Sequence, residues 1–552
     1  MGFLKWCRYG LILSLTGWVA SGNAASENFY TASTFECISM YYNSDEQSDA
    51  RIFYKPAADK EWLSALDPVY DKKDRQYRGS IVGLMPNTVY DIKLRLKSDE
   101  VVTQAKTLNE NLPVGKTTLL SSAAQPVLIS ESGTSGAWHL VTNAERTHVT
   151  IDVRNSSDYT AIIDADYVIV RGIEFRNAAM HGILIKEGRH HIVIEECHIT
   201  FWGRIGGPKS FGNEGNTDSG IYAETGAGNL IIQRNLIENP RGCSNDWDTG
   251  HPAGPQAISL MNSSGGNVIR YNDLWSTPDH SYNDIIGGGS NFSNAGSPNR
   301  DSDIYGNILR SSHDDAIESE GANMNVRIWG NYIHDTFQFI ATATTSKGPL
   351  YIFRNIFGET RSSRKFLGGS MIKTGVRGEF GGGRKYIFHN TALQPGGPMN
   401  VFTGHPDPNT ITRNNIFHCP GRLAASKLPE NPGDYDYDLF TGMDQGIARE
   451  EHGIKEIPQY IASYYMEFYP ASTINKIQWG KIPVMIGAVE KILTDPVVTI
   501  PNPVIDGGVI IPNFNDNFAG KGPDLGAFET GKPPLKFGRQ ANSRFPAAWE
   551  VY

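Results

Sequence analysis

Ile304-Tyr-Gly-Asn307, Ile328-Trp-Gly-Asn331 and Ile352-Phe-Arg-Asn355 are three copies of one phrase. Further copies stand at Ile232-Gln-Arg-Asn235, Ile269-Arg-Tyr-Asn272, Ile387-Phe-His-Asn390 and Ile411-Thr-Arg-Asn414. Their asparagines are 37, 35, 24, 24, 35 and 24 residues apart. A constant minimum with longer steps in between is a repeat that carries loops in some of its copies. So short a unit cannot bury its own apolar face, and successive copies must stack. The expected fold is therefore all-β, a parallel β-solenoid in which each coil adds strands to long parallel sheets. The asparagines then form an internal column, each amide bonding to the next coil about 4.8 Å away. Cys197 occupies the Asn position of an earlier coil and reads as a core residue.

A second strand follows each Asn strand. Its copies are His181-Gly-Ile183, Ser219-Gly-Ile221, Gln256-Ala-Ile258, Asp284-Ile-Ile286, Asp315-Ala-Ile317 and Phe339-Ile-Ala341. The Ile column must point inward, and strand alternation then sends Glu318 and Glu320 outward. Asp284 and Asp315 fall in one column at the leading edge of neighbouring coils. Insertions at roughly 203–218, 239–255, 276–283, 288–300 and 359–384 are rich in Gly, Asp, His and aromatic residues. Loops gathered on one side of a solenoid wall a groove, and a groove across coils suits an extended polymer.

The ends of the chain read differently. Lys5 and Arg8 precede a mostly apolar run from Tyr9 to Ala20, and Gly22-Asn23-Ala24 supplies a small–x–small site. Residues 1–24 thus have the pattern of an export signal, too short in its apolar run to span a bilayer. This predicts a periplasmic or secreted protein without a membrane span. Of the five cysteines, Cys37, Cys197, Cys243 and Cys419 lie beyond that segment, far apart, and imply no disulfide framework. The net charge of −9 excludes a global basic field for nucleic acid or anionic membranes. Residues 26–108 show short alternating strands, 109–117 a linker, 118–420 the solenoid, and 421–552 an extension with short helices at Glu456–Tyr469 and Lys481–Leu493. A monomer is expected.

The residues with chemistry centre on His313-Asp314-Asp315-Ala-Ile-Glu318-Ser-Glu320. Acids so dense on one strand repel, so they imply either a bound hard cation or acid–base work on a sugar. His280 and His313 lie near them in the coil alignment, and Trp247 in an inserted loop is a candidate sugar-stacking platform. Arg361, Arg364, Lys365, Lys373, Arg377 and Arg384 share one long loop and suit an anionic sugar.

Two resemblances follow. Leu84-Met-Pro86-Asn-Thr88-Val-Tyr90 resembles the tyrosine corner of fibronectin type III domains, and Trp62 stands where those domains place a core Trp. The repeat with Asp314-Asp315-Ala-Ile resembles right-handed parallel β-helix proteins of the pectin-lyase-like superfamily, in particular the Asp-Asp-Cys-Ile element of polygalacturonase-type hydrolases. Asp284 resembles the Asp of their Asn-Thr-Asp element, and Met371-Ile-Lys373 is similar to their Arg-Ile-Lys. Their Gly-His-Gly element has no counterpart in Phe337-Gln-Phe-Ile-Ala341, and their Arg is Met371 here. Phe518-Ala-Gly-Lys-Gly-Pro-Asp524-Leu-Gly-Ala-Phe528 resembles the closing segment of secreted β-helix carbohydrate enzymes, which implies a cap over the last coil.

The resemblance implies glycoside hydrolysis of a polysaccharide, without a cofactor. Asp314 or Asp315 would protonate the leaving oxygen, and another of the acids, with Asp284, would activate water. His313 and Lys373 would assist, and His280, Glu318, Glu320, Trp247, Arg361 and Arg377 would bind substrate. A polysaccharide lyase stays open, with Lys373 or Arg377 as base and Ca²⁺ at Glu318 and Glu320. A non-catalytic, polysaccharide-binding solenoid is the third reading.

Overall fold

The structure is a computed structural model that describes residues 28–97, 99–145, 147–205, 217–358, 360–365, 369–392, 399–401, 409–417, 433–440, 450–454, 466–468, 479–481, 504–533 and 535–542. The export signal, Cys419 and most of the expected helices lie outside these residues. Within them, Met466–Phe468 and Trp479–Lys481 are paired antiparallel strands and not helix ends.

Two four-stranded antiparallel sheets come first. One has the order Phe29–Ser33, Ile38–Asn43, Gln76–Ile81, Val69–Asp71; the other is Leu63–Ser64, Ala50–Pro56, Val89–Leu96, Glu100–Lys106. They enclose a core of Ile38, Met40, Ile52, Ile81, Ile92 and Leu94, as in a β-sandwich. The Tyr90 hydroxyl accepts a hydrogen bond from the Met85 N–H at 2.9 Å, which ties the segment before the Val89–Leu96 strand to that strand. Trp62 departs from its expected place. It is half-buried outside the core, with Lys93 Nζ 4.5 Å and Lys55 Nζ 5.4 Å over its ring.

The rest is a parallel β-helix. A twelve-stranded parallel sheet starts at Val114–Leu120, inside the stretch expected as linker. A nineteen-stranded sheet bends around the other two faces, so a coil gives one strand to the first sheet and two to the second.

The corner between sheets explains the repeated phrase. The residue before each column position is left-handed: Glu196, Arg234, Tyr271, Gly306, Gly330, Arg354, His389 and Asn414 all have φ between 53° and 65°. This sharp turn aims the next side chain into the coil. The Asn307 N–H and Nδ2 both donate to Asn331 Oδ1 at 3.1 and 3.0 Å, while Nδ2 also reaches the Ile269 carbonyl of the previous coil at 2.9 Å. The same pattern links Asn235, Asn272, Asn307, Asn331, Asn355 and Asn390. Cys197 heads the column, its N–H donating to Asn235 Oδ1 at 2.9 Å.

The seventh amide is Asn415 and not Asn414 as the phrase suggested. Asn414 takes the left-handed corner, which Asn tolerates, and Asn390 Nδ2 donates to Asn415 Oδ1 at 2.9 Å. Asp438 closes the column, accepting from Asn415 N–H at 2.7 Å; burial raises its carboxyl to about 7.

The sandwich is fixed to the twelve-stranded sheet by fully buried Arg327, whose Nε donates to Asp303 Oδ1 at 2.6 Å and Nη1 to Ser39 Oγ at 2.7 Å. On another face the residue after each column position points outward and is often apolar. The described C-terminal residues cover it. Leu525 packs with Ile416 and Leu439, Phe537 with Tyr332, and Arg539 Nε meets Asp273 Oδ2 at 3.0 Å. The segment thus straps the flank of the helix backwards, where a cap over the last coil was expected. Among the described residues no helix is long and apolar enough to cross a membrane.

Replacing Asn331 with Ala leaves the Asn307 N–H without its Asn331 acceptor, takes one of the acceptors from Asn307 Nδ2, and removes the Asn331 Nδ2 donor from Asn355 Oδ1 and from the Ile304 carbonyl. Each buried orphan costs about 1–3 kcal/mol. Chemical denaturation is expected to show a loss of about 3 kcal/mol or more; a change under about 0.5 kcal/mol would contradict the ladder's role.

Candidate active site

The second strand of each coil carries two successive inward residues: Ala257-Ile258, Ile285-Ile286, Ala316-Ile317, Phe339-Ile340 and Met371-Ile372 are all in the core. Strict alternation would put only one of each pair inside. The Ala257 and Ile258 N–H groups both donate to the Ile285 carbonyl, at 3.1 and 3.0 Å, which is the signature of a bulge. The bulge turns the residues on either side of the pair to one outer face. Asp315 and Lys373 therefore meet although they come from different coils and different strand positions.

In register, one outer row runs Gln256, Asp284, Asp315, Gln338 and the other Ser259, Gly287, Glu318, Ala341, Lys373. The expected alignment of Phe339-Ile-Ala341 is one residue late, since Ile340 and not Ala341 pairs with Ile317. The two inward residues of that coil are Phe339 and Ile340, a pair that single-residue alternation misplaces.

Asp284, Asp314 and Asp315 converge. Each offers an oxygen within 4.8 Å of those of the other two. Asp284 is held by three donors: the Asp315 N–H at 3.1 Å, Gln256 Nε2 at 2.9 Å and Asn283 Nδ2 at 2.8 Å. Lys373 Nζ lies 2.6 Å from Asp315 Oδ2 and 3.5 Å from Glu320 Oε1. Glu320 also accepts the Ala343 N–H at 3.1 Å, and Glu318 accepts from Asn291 Nδ2 at 2.8 Å.

Charge is concentrated here. Burial, reinforced by Glu318, Asp314 and Asp315, holds the Asp284 carboxyl well above the usual range. Burial and Asp315 do the same to Asp314. Burial lifts Glu318, and lifts Glu320 to about 8. Burial opposes the charge on Lys373, but Asp315 and Glu320 outweigh it and push the ammonium well above its ordinary value.

Two insertions wall the site. Trp247 packs on His251 (ring centroids 4.8 Å apart) and on Phe337 (5.4 Å), and His251 Nε2 stands 3.7 Å from Asp314 Oδ2. Asp248 joins this loop to the 359–384 insertion, accepting the N–H groups of Arg364 and Lys365 at 3.0 and 2.8 Å.

No family model matches the chain, and no curated protein matches it. Among solved structures, the chain is similar to one titled "Crystal structure of pectate lyase Pel9A", with 14% identity and a TM-score of 0.40. The match covers 76% of this chain and 86% of that one.

Of the residues singled out in the sequence, Asp284, Asp314, Asp315, Glu318, Glu320 and Lys373 come together. Four others do not join them as expected. His313 turns to the wall, its Nδ1 on the Ser244 carbonyl at 2.9 Å, and burial lowers it to about 4. His280 sits in the 3-10 turn Pro278–His280 and packs edge-on against Phe201. Arg361 is a brace, its Nη2 on Asp335 at 2.9 Å and Nη1 on Ser281 Oγ at 2.7 Å. Arg377 is exposed and lies over the Phe292 ring at 4.5 Å. Sequence reasoning missed Gln256, Asn283, Asn291 and Gln338. Gln256 was legible as the first residue of its aligned copy; Gln338 was hidden by the doubled inward pair, and Asn291 reaches Glu318 from an inserted loop.

Calcium was expected at Glu318 and Glu320; among the described residues the acids whose oxygens lie close enough together to hold a metal ion are Asp284, Asp314 and Asp315. The three aspartates fit a hard cation better. Calcium–oxygen bonds of 2.3–2.6 Å allow ligand oxygens to lie up to roughly 5 Å apart. Asp315 Oδ1 and Asn283 Oδ1 are buried without a hydrogen-bond partner. Titration calorimetry with CaCl₂ is expected to show one site per chain, weakened at least about tenfold by Asp315→Asn or Asp314→Asn. Absence of binding, or unchanged affinity in both variants, would contradict the fit.

Proposed function

We propose that the protein is a polysaccharide lyase that cleaves a uronic-acid polymer by β-elimination, with Lys373 as the base. The observation that carries this reading is the single lysine set 2.6 Å from an aspartate of a three-carboxylate cluster. Elimination needs a base at the proton beside the uronate carboxylate and positive charge near that carboxylate.

Lys373, as the neutral amine, takes the proton from the carbon that bears the carboxylate. The electron pair left there forms a carbon–carbon double bond, and the bond to the glycosidic oxygen breaks. That oxygen takes a proton from water. Asp315 and Glu320 hold Nζ in place, and Trp247 and Phe337 shield one side of the site from solvent. A divalent cation held by Asp284, Asp314 and Asp315 would neutralise the uronate, make its neighbouring proton more acidic, and withdraw from Lys373 the negative charge that now keeps it protonated.

The hydrolytic reading asks more of these carboxylates. Acid and base must flank the bond, about 5–5.5 Å apart for retention and 6.5–9.5 Å for inversion. Here Asp315 is paired to Lys373, and both Asp284 oxygens already accept hydrogen bonds.

The test is a panel of neutral and uronate polysaccharides, with and without a chelator. A uronate polymer is expected to yield ultraviolet-absorbing unsaturated ends, lost on chelation, and Lys373→Ala should lower the rate by about 10²–10⁴-fold. New reducing ends without absorbance would mean hydrolysis, and retention without cleavage would mean a binding protein; either overturns the reading.

A further inference from the structure

The Trp247 wall stands where the chain enters the second strand, and a second pair of insertions meets where the chain leaves it. One follows the strand Ile286–Gly288, the other the strand Ile372–Thr374. Register places Gly287 and Lys373 three coils apart, about 14 Å at 4.8 Å per coil, with Glu318 and Ala341 between them. Yet the two insertions touch, the Arg377 guanidinium lying 4.5 Å over the Phe292 ring. The contact therefore spans the two coils that carry Glu318 and Ala341. Asn291, next to Phe292, takes the same path: its Nδ2 donates to Glu318 Oε1 at 2.8 Å, and its carbonyl accepts from Thr344 Oγ1 at 2.9 Å. Arg377 thus stands at the rim of the carboxylate site, on the Glu318 side.

Its position is set from several directions. Arg377 and Phe380 exchange backbone hydrogen bonds at 2.9 and 3.1 Å around Gly378, whose φ of 61° closes the turn. Lys73 of the sandwich donates to the Glu379 carbonyl of that turn at 3.3 Å. Arg361 and Arg364 of the same insertion are tied to Asp335 and Asp248. Arg377 is exposed and has no carboxylate partner among the described residues; what it touches is the Phe292 ring. The five N–H donors of a guanidinium lie in its plane, so stacking on a ring leaves them for a carboxylate from outside.

We infer that Arg377 is a second anion-binding point for the substrate, which grips the carboxylate of a uronate unit beside the one that is cleaved. A planar guanidinium matches a carboxylate with two parallel hydrogen bonds. The Phe292 ring restricts the arginine before substrate arrives, so less of its freedom is lost on binding. One acidic unit would suffice for the carboxylate cluster and Lys373; Arg377 gives the protein a reason to prefer acidic units in succession. This rests on the lyase reading above and adds to it a requirement on the substrate.

The test is steady-state kinetics of the wild type, Arg377→Ala and Arg377→Lys, with saturating CaCl₂, on an unesterified polyuronate and on its partly methyl-esterified form. Arg377→Ala is expected to raise KM on the unesterified polymer about tenfold, to change kcat by less than about twofold, and to raise KM far less on the esterified form. Arg377→Lys keeps the charge without the planar fork and should fall between. Calorimetry of short uronate oligomers and their methyl esters on the Lys373→Ala background should repeat the pattern as affinity. An equal loss on both substrates, no loss, or a loss confined to kcat overturns the role of Arg377, while unsaturated products from the wild type keep the lyase reading. Oligomer binding that Arg377→Ala weakens, without cleavage of any polymer by the wild type, keeps the anion-binding point and overturns the lyase. Neither cleavage nor binding overturns both.

Discussion

From Asn235 to Asn415 each coil is held to the next by an asparagine whose amide bonds to both neighbours. The carbonyl oxygen accepts from the coil before, and the nitrogen donates to the coil after and to a backbone carbonyl of the coil before. A slip of one residue would leave these groups unpaired in an apolar interior, where each orphan is expensive. The ladder therefore fixes coil-to-coil register over the whole stretch from Cys197 to Asp438. Loops of different length can be inserted without disturbing it, because the insertion never reaches the column. This separation between a rigid ladder and free loops is what lets residues far apart in the chain share one site.

The carboxylate cluster depends on that register twice over. The ladder aligns Asp284 with Asp315 on adjacent coils, and the bulge in the second strand brings Glu318 and Lys373 to the same face. Left to themselves, these acids destabilise the fold, since burial and mutual repulsion raise the carboxyls of Asp284, Asp314, Glu318 and Glu320. Lys373 offsets part of this charge. A metal ion would offset more, and it would do so where a substrate carboxylate can share it.

The repeat was legible because an internal amide column demands one residue type at one position. The inward Ile column was legible for a similar reason, and with it the meeting of Asp284 and Asp315. The corner was not: any residue with φ near 55° serves there, so Glu196, Arg234, Tyr271 and His389 share no sequence signal. That is why Asn414 was mistaken for the column member in place of Asn415. Alternation also failed where the bulge doubles the inward positions, which hid Gln338. His313 and Arg361 read as site residues by proximity, but the Ser244 carbonyl holds the imidazole and Asp335 claims the arginine. The C-terminal strap was read as a cap because an end motif says that a surface must be covered, not which one.

Diffraction from crystals grown with calcium, with anomalous scattering to locate the ion, tests the central claim most directly. The account predicts one strong peak bonded to oxygens of Asp284, Asp314 and Asp315, with Lys373 Nζ beside Asp315. Carboxylates splayed onto separate surfaces, or a cluster that stays empty at millimolar calcium, would contradict it.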